Sequence, residues 1–148
     1  MKKIFNSLFI MAAITAMFST TSCTKVCDAG YEGSDCKTEV RAKYIATYKV
    51  AGTATNSGGS LNVTDLLITV TAASSGVSDM NFTYVLGGTT YSLKGTLNSD
   101  GSSIEFANQT SNGLTYSGSG SFAGTTLNLN LTEVGSATTT ILLSGPKQ

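Results

Sequence analysis

The sequence predicts an all-β protein, an antiparallel eight-stranded meander that closes into an up-and-down barrel. Three observations predict it. From Lys43 onward apolar and polar residues alternate at period two, the pattern of strands with one buried face. Short turn signals punctuate that pattern; Gly87-Gly88 and Asn112-Gly113 are the strongest, because a two-residue hairpin needs φ > 0 at its central positions. Each strand is apolar on one face and rich in hydroxyls and amides on the other, so the sheet must close on itself or on a second sheet. Closure also removes exposed edges. A β-sandwich is the alternative, but its Greek-key crossovers suit short connections poorly.

The elements follow in order. Met1 to Ser22 reads as an export signal helix: Lys2 and Lys3 form a positive start, Ile4 to Phe18 is mostly apolar, and Ser19-Thr20-Thr21-Ser22 are small. The apolar run is shorter than the roughly 20 residues of a comfortable transmembrane helix. The small residues lead straight into Cys23. This arrangement resembles a bacterial lipoprotein signal, with Thr20 in place of the usual Leu. The resemblance implies cleavage before Cys23 and a lipid on its thiol, hence a membrane tether. The alternative is an ordinary secretory signal with Cys23 left as a plain thiol. The chain holds three cysteines, an odd number for an exported protein. With Cys23 lipidated, Cys27 and Cys36 remain as a disulfide pair in an oxidising compartment.

Cys27-x-x-Gly30-Tyr31-x-Gly33-x-x-Cys36 resembles the last third of an EGF-like module. The preceding Cys-x-Cys and the acidic calcium-binding sequence of such modules are missing, so the resemblance implies a stapled turn and neither calcium nor receptor binding. A loop of this size buries no core of its own. It reads as a stalk. The chain thus divides into a signal peptide over 1–22, an anchor and disulfide stalk over 23–43, and a β domain over 44–148.

Within the β domain, Tyr44, Ala46, Tyr48 and Val50 share one face of the first strand. Gly52 to Ser60 reads as a polar loop. Leu61 and Val63 lead into Leu66, Ile68 and Val70, with a phase change near Asp65 that suggests a bulge or turn. Met80, Phe82, Tyr84 and Leu86 mark the third strand, and Tyr91, Leu93, Gly95 and Leu97 the fourth. Ile104 and Phe106 mark a short fifth. Leu114, Tyr116, Gly118, Gly120 and Phe122 line one face of the sixth. Leu127, Leu129 and Leu131 follow, and the last strand ends in Ile141-Leu142-Leu143. The segment Arg41-Ala42-Lys43-Tyr44-Ile45-Ala46-Thr47-Tyr48 resembles the first strand of lipocalin-like domains, with Ala46 and Tyr48 where that family carries Gly and Trp. The whole arrangement resembles a group of small Bacteroidota-type lipoproteins, which implies a cell-envelope protein of the outer membrane, on either face.

Composition excludes several functions. The chain has no His, so neither Ser-His-Asp nor Cys-His catalysis nor an imidazole metal site is available. Charged residues are 12%, and no basic cluster is present to neutralise nucleic-acid phosphates. Asp65, Asp79, Asp100, Glu105 and Glu133 are scattered and read as solvated charges, with Glu105 and Glu133 on outward faces. No catalytic residue, metal ligand or cofactor is therefore expected. The inward face is the one candidate ligand surface. Tyr48, Phe82, Tyr84, Phe106, Tyr116 and Phe122 either fill the interior, the favoured expectation, or line a cavity for a small apolar molecule. Gly118 and Gly120 then read as places where a neighbour's aromatic ring crosses the backbone. A third class, a surface interaction or adhesion module, would use the Ser/Thr/Asn outer face.

Overall fold

A computed structural model describes residues 26–148. The expected signal segment 1–22 and the Cys23 anchor lie outside the described residues. The chain opens with two short strands, β1 (Tyr31–Glu32) and β2 (Thr38–Glu39), and a 3-10 helix (Val40–Tyr44). Eight long strands follow: β3 (Ala46–Asn56), β4 (Gly59–Ala72), β5 (Asp79–Leu86), β6 (Thr89–Leu97), β7 (Ser103–Ser111), β8 (Leu114–Ala123), β9 (Thr126–Val134) and β10 (Thr138–Pro146). They form a closed antiparallel barrel in sequence order, with β10 returning to β3 through pairs such as Leu142 with Thr53. Closure rules out the sandwich.

Local chemistry explains the meander. Gly87-Gly88 joins β5 to β6 with φ of 58° and 78°, and Asn112-Gly113 joins β7 to β8 with φ of 50° and 78°. These are the mirror-image turns whose twist matches that of paired strands. The phase change expected near Asp65 is a bulge: Val50 pairs with Leu66 and Gly52 with Val63, and Asp65 takes φ of 55°.

The expected loop over 52–60 is instead the end of β3, a turn at Ser57-Gly58 and the start of β4, with Asn56 opposite Gly59. Its residues are too small and polar to show alternation, yet their backbones pair fully, and the Thr55 and Ser60 hydroxyls meet at 3.0 Å. The fifth strand is likewise longer than Ile104 and Phe106 suggest. A bulge between Phe106 and Gln109 hides its continuation. That bulge sits beside a thin seam, where β6 and β7 pair only through Thr96–Glu105 and Leu97–Ile104. Past it, the Gln109 side chain replaces a peptide group: its Oε1 accepts from Lys94 N at 2.6 Å and its Nε2 donates to Lys94 O at 2.8 Å.

The interior glycines act differently from the expectation. Gly118 has φ of 145°, and a Cβ there would lie 2.2 Å from Asn130 O, so backbone and no ring crosses it. A Cβ on Gly120 would meet Asn128 O and Leu129 Cδ2, each at 2.8 Å. The ring-over-glycine contact falls at Gly95, where Phe82 Cε2 stands 2.8 Å from the Cβ position.

One end of the barrel is plugged. The 3-10 helix carries Tyr44 onto Phe122, rings stacked at 3.9 Å and 6°, and the Tyr44 hydroxyl donates to Gly101 O at 2.6 Å. Tyr44 thus belongs to this helix rather than to the first strand. Arg41, 7% exposed, donates to the carbonyls of Ala73 (2.8 Å), Gly76 (2.6 Å) and Asp79, and pairs with Glu39 at 2.8 Å. Arg41, ahead of the first barrel strand, thus ties the 3-10 helix to the β4–β5 connection. The cysteine turn itself is held by the Cys27–Cys36 disulfide and by Val40 N donating to Gly30 O at 2.9 Å.

Candidate functional site: an open cup in the barrel

The inward faces alternate as the period-two pattern requires, but they fill only part of the interior. Around the plugged end Tyr48, Val50, Val70, Met80, Leu97, Ile104, Phe122 and Leu127 are buried against one another. Toward the other end, where the β3–β4, β5–β6 and β9–β10 connections lie, the interior opens into a cavity of about 450 Å³. Ile68, Phe82, Leu93, Phe106, Leu129 and Leu143 line its deeper part. Leu66, Tyr84, Tyr91, Tyr116, Leu131 and Glu133 form the wall, and Leu61 and Leu86 stand at the rim. The favoured expectation of a filled interior holds for the plugged half alone. Among the described residues the one helical element, the 3-10 helix, enters at the plugged end, and none enters at the mouth to fill the space.

Of the six residues singled out from the sequence, Phe82, Tyr84, Phe106 and Tyr116 line the cup together. Tyr48 and Phe122 do not. Their rings sit 5.7 Å apart at the plugged end, where the Tyr48 hydroxyl donates to Tyr44 O at 3.0 Å. Two further wall residues were not among those six. Tyr91 lies in phase with Leu93 and stacks on Tyr84 at 5.1 Å and 9°. Glu133 is two residues beyond Leu131 and shares its face, so it points inward, contrary to the outward placement expected. Parity alone would have found it.

These groups form one polar ring in an apolar cup. The Tyr116 hydroxyl donates to Glu133 Oε2 at 2.7 Å. Tyr91 meets the Tyr116 ring edge-on at 6.3 Å. Burial pushes the Tyr84 phenol up to about 12. Burial, and then the bond to the Glu133 carboxylate, pushes Tyr116 higher still. Both therefore remain neutral O–H groups at ordinary pH. Glu133 is the one charged residue in the lining, and the four ion pairs among the described residues all lie elsewhere: Arg41–Glu39, Lys43–Glu32, Lys49–Asp65 and Lys94–Asp79.

Two of the remaining acids have structural settings. Asp100 caps its turn by accepting from Ser102 N and Ser103 N, each at 2.8 Å. Asp79, read from the sequence as solvated, has a side chain only 13% exposed and accepts from Lys94 Nζ (2.9 Å), Ser75 Oγ (2.6 Å) and Thr96 Oγ1 (2.8 Å). Among the described residues no group of three Cys, Asp or Glu side chains could hold a metal ion. Comparison of the chain with protein-family models, with curated proteins and with solved structures found no match.

Proposed function

We propose that this protein is a lipid-anchored protein of the cell envelope, placed at the outer membrane, whose barrel is a non-catalytic carrier of a small apolar molecule. The observation that carries the carrier reading is the open cup. Its volume, about 450 Å³, lies in the range of small-molecule sites, and its lining is aliphatic and aromatic apart from a few convergent polar groups. The plugged end gives such a ligand one way in and the same way out. The lack of any His, and of any Cys within the barrel strands, supports a role in binding rather than catalysis.

The anchor reading is supported by the sequence from Lys2 to Cys23 and by cysteine arithmetic. The Cys27–Cys36 disulfide leaves Cys23 as the odd cysteine, at the position where a lipoprotein signal would end. The EGF-like turn would then space the barrel from the membrane, as in the Bacteroidota-type lipoproteins that the chain resembles.

Two measurements test this. The substitution Cys23→Ser should move the protein from the membrane fraction to the soluble one, and continued sedimentation with membranes would remove the lipid as the tether. On that soluble variant, a fluorescent apolar probe should bind and be displaced by apolar compounds. Adding Ile141→Trp, which fills the cup from β10, should abolish binding while the melting curve stays within a few degrees. Unchanged binding with the cup filled would end the carrier reading.

A further inference from the structure

The cup holds a carboxylate with no cationic partner, and this sets what kind of head group the ligand carries. Glu133 lies near the mouth, opposite Thr139 across β10 and Tyr116 across β8. No Lys or Arg joins it in the lining. One of its oxygens is fixed by the Tyr116 hydroxyl at 2.7 Å, which orients the group. Around it stand three aromatic rings, Tyr84 stacked on Tyr91 and Tyr91 edge-on to Tyr116. A carboxylate taken into an apolar wall is favourable only when paired. Tyrosine faces attract cations and add to that pairing. Below this ring the lining is apolar down to Phe82, Phe106 and Leu129.

We infer that the cup takes an amphiphilic amine, its protonated nitrogen held at the mouth by Glu133 and the Tyr84–Tyr91–Tyr116 ring and its apolar body pointing toward the plugged end. The inference rests on the carrier reading and specifies its ligand class. The geometry orients the molecule as solvation would: the charged head stays close to water and the tail is buried. A fatty acid in the same pose would place two carboxylates together, and a neutral alcohol would hydrogen-bond to Glu133 without compensating its charge. Glu133 is thus the discriminating residue, and Tyr116 positions it.

The test uses three water-soluble isosteres, 4-phenylbutylamine, 4-phenylbutanol and 4-phenylbutyrate, titrated calorimetrically into the Cys23→Ser protein at neutral pH. The amine should bind about tenfold or more tighter than the alcohol, with the acid weakest, as expected when a charge-assisted bond replaces a neutral one. Adding Glu133→Gln should remove the amine's advantage and leave the alcohol's affinity within about twofold, because the side-chain shape is kept. Tyr116→Phe should reduce the amine's advantage without erasing it. Equal binding of all three, or an amine preference that survives Glu133→Gln, overturns the head-group inference and leaves the carrier reading standing. No binding of the three or of any apolar probe overturns both. If Glu133→Gln does not fold, the ranking in the parent protein decides alone.

Discussion

Replacing Arg41 by Ala removes the side chain that ties the segment before the first barrel strand to the plugged end. Its guanidinium donates to three carbonyls of the β4–β5 connection and the start of β5, those of Ala73, Gly76 and Asp79. Two of these keep a backbone donor after truncation, since Asp79 N reaches Gly76 O at 3.2 Å and Ala73 N reaches Asp79 O at 3.0 Å. Ala73 O is left with none among the bonds described. Leaving one buried carbonyl unpaired costs about 1–3 kcal/mol, and hydrogen bonds from a charged donor are worth about 1.5–3 kcal/mol each. Allowing for the retained partners and for some water entering, the loss is about 3 kcal/mol. For a domain of this size that lowers Tm by about 10–20 °C. Arg41→Lys should recover part of the loss, because an ammonium keeps the charge but not the planar fork. Glu39 is a third exposed, so Glu39→Gln should cost less than about 1 kcal/mol. Thermal melts of the three variants in the soluble Cys23→Ser background make the comparison. An Arg41→Ala protein melting within about 2 °C of its parent would refute the reasoning.

Two further outcomes follow from the same geometry. Its bonds to Lys94 first, then to Ser75, hold the Asp79 carboxyl at about 2, below the ordinary carboxylate value. A lowered folded pKa contributes stability above the unfolded value that is lost as pH falls through the folded one, so the effect should disappear between about pH 4 and 2. Half-exposed Lys94 leaves the pair open to solvent screening, which reduces the contribution to about 1 kcal/mol. Asp79→Asn should flatten that part of an acid titration of stability, and an unchanged acid limb would count against it. At the glycines, Gly118→Ala must place a Cβ against β9 backbone at positive φ, a loss of about 2–4 kcal/mol. Gly95→Ala meets only the side chains of Phe82, Phe106 and Ile104, which can shift, and should cost about 1–2 kcal/mol. Denaturant melts that reverse this order would contradict the assignment of the ring contact to Gly95.

The number of long strands, their order and the faces they bury were legible in the sequence because each depends on neighbours within a few residues. Alternation in β5, β6, β8 and β9 marks the inward set directly, and Gly87-Gly88 and Asn112-Gly113 can scarcely do anything but turn. The strand ends at Asn56–Gly59 and past Phe106 were not legible: small polar residues pair through backbone alone, and a bulge shifts the phase that a period-two reading follows. The inward parity of Glu133 was present in the sequence, but a charge at the end of a strand ordinarily signals solvent. Only the tertiary structure decided that the interior is filled at one end and hollow at the other. That difference depends on where the 3-10 helix enters, and on the partners that Arg41 finds 32 to 38 residues away. A side chain's pattern tells which way it faces. Whether the space it faces is full depends on what the opposite wall and the chain end bring there, and closure alone brings them together.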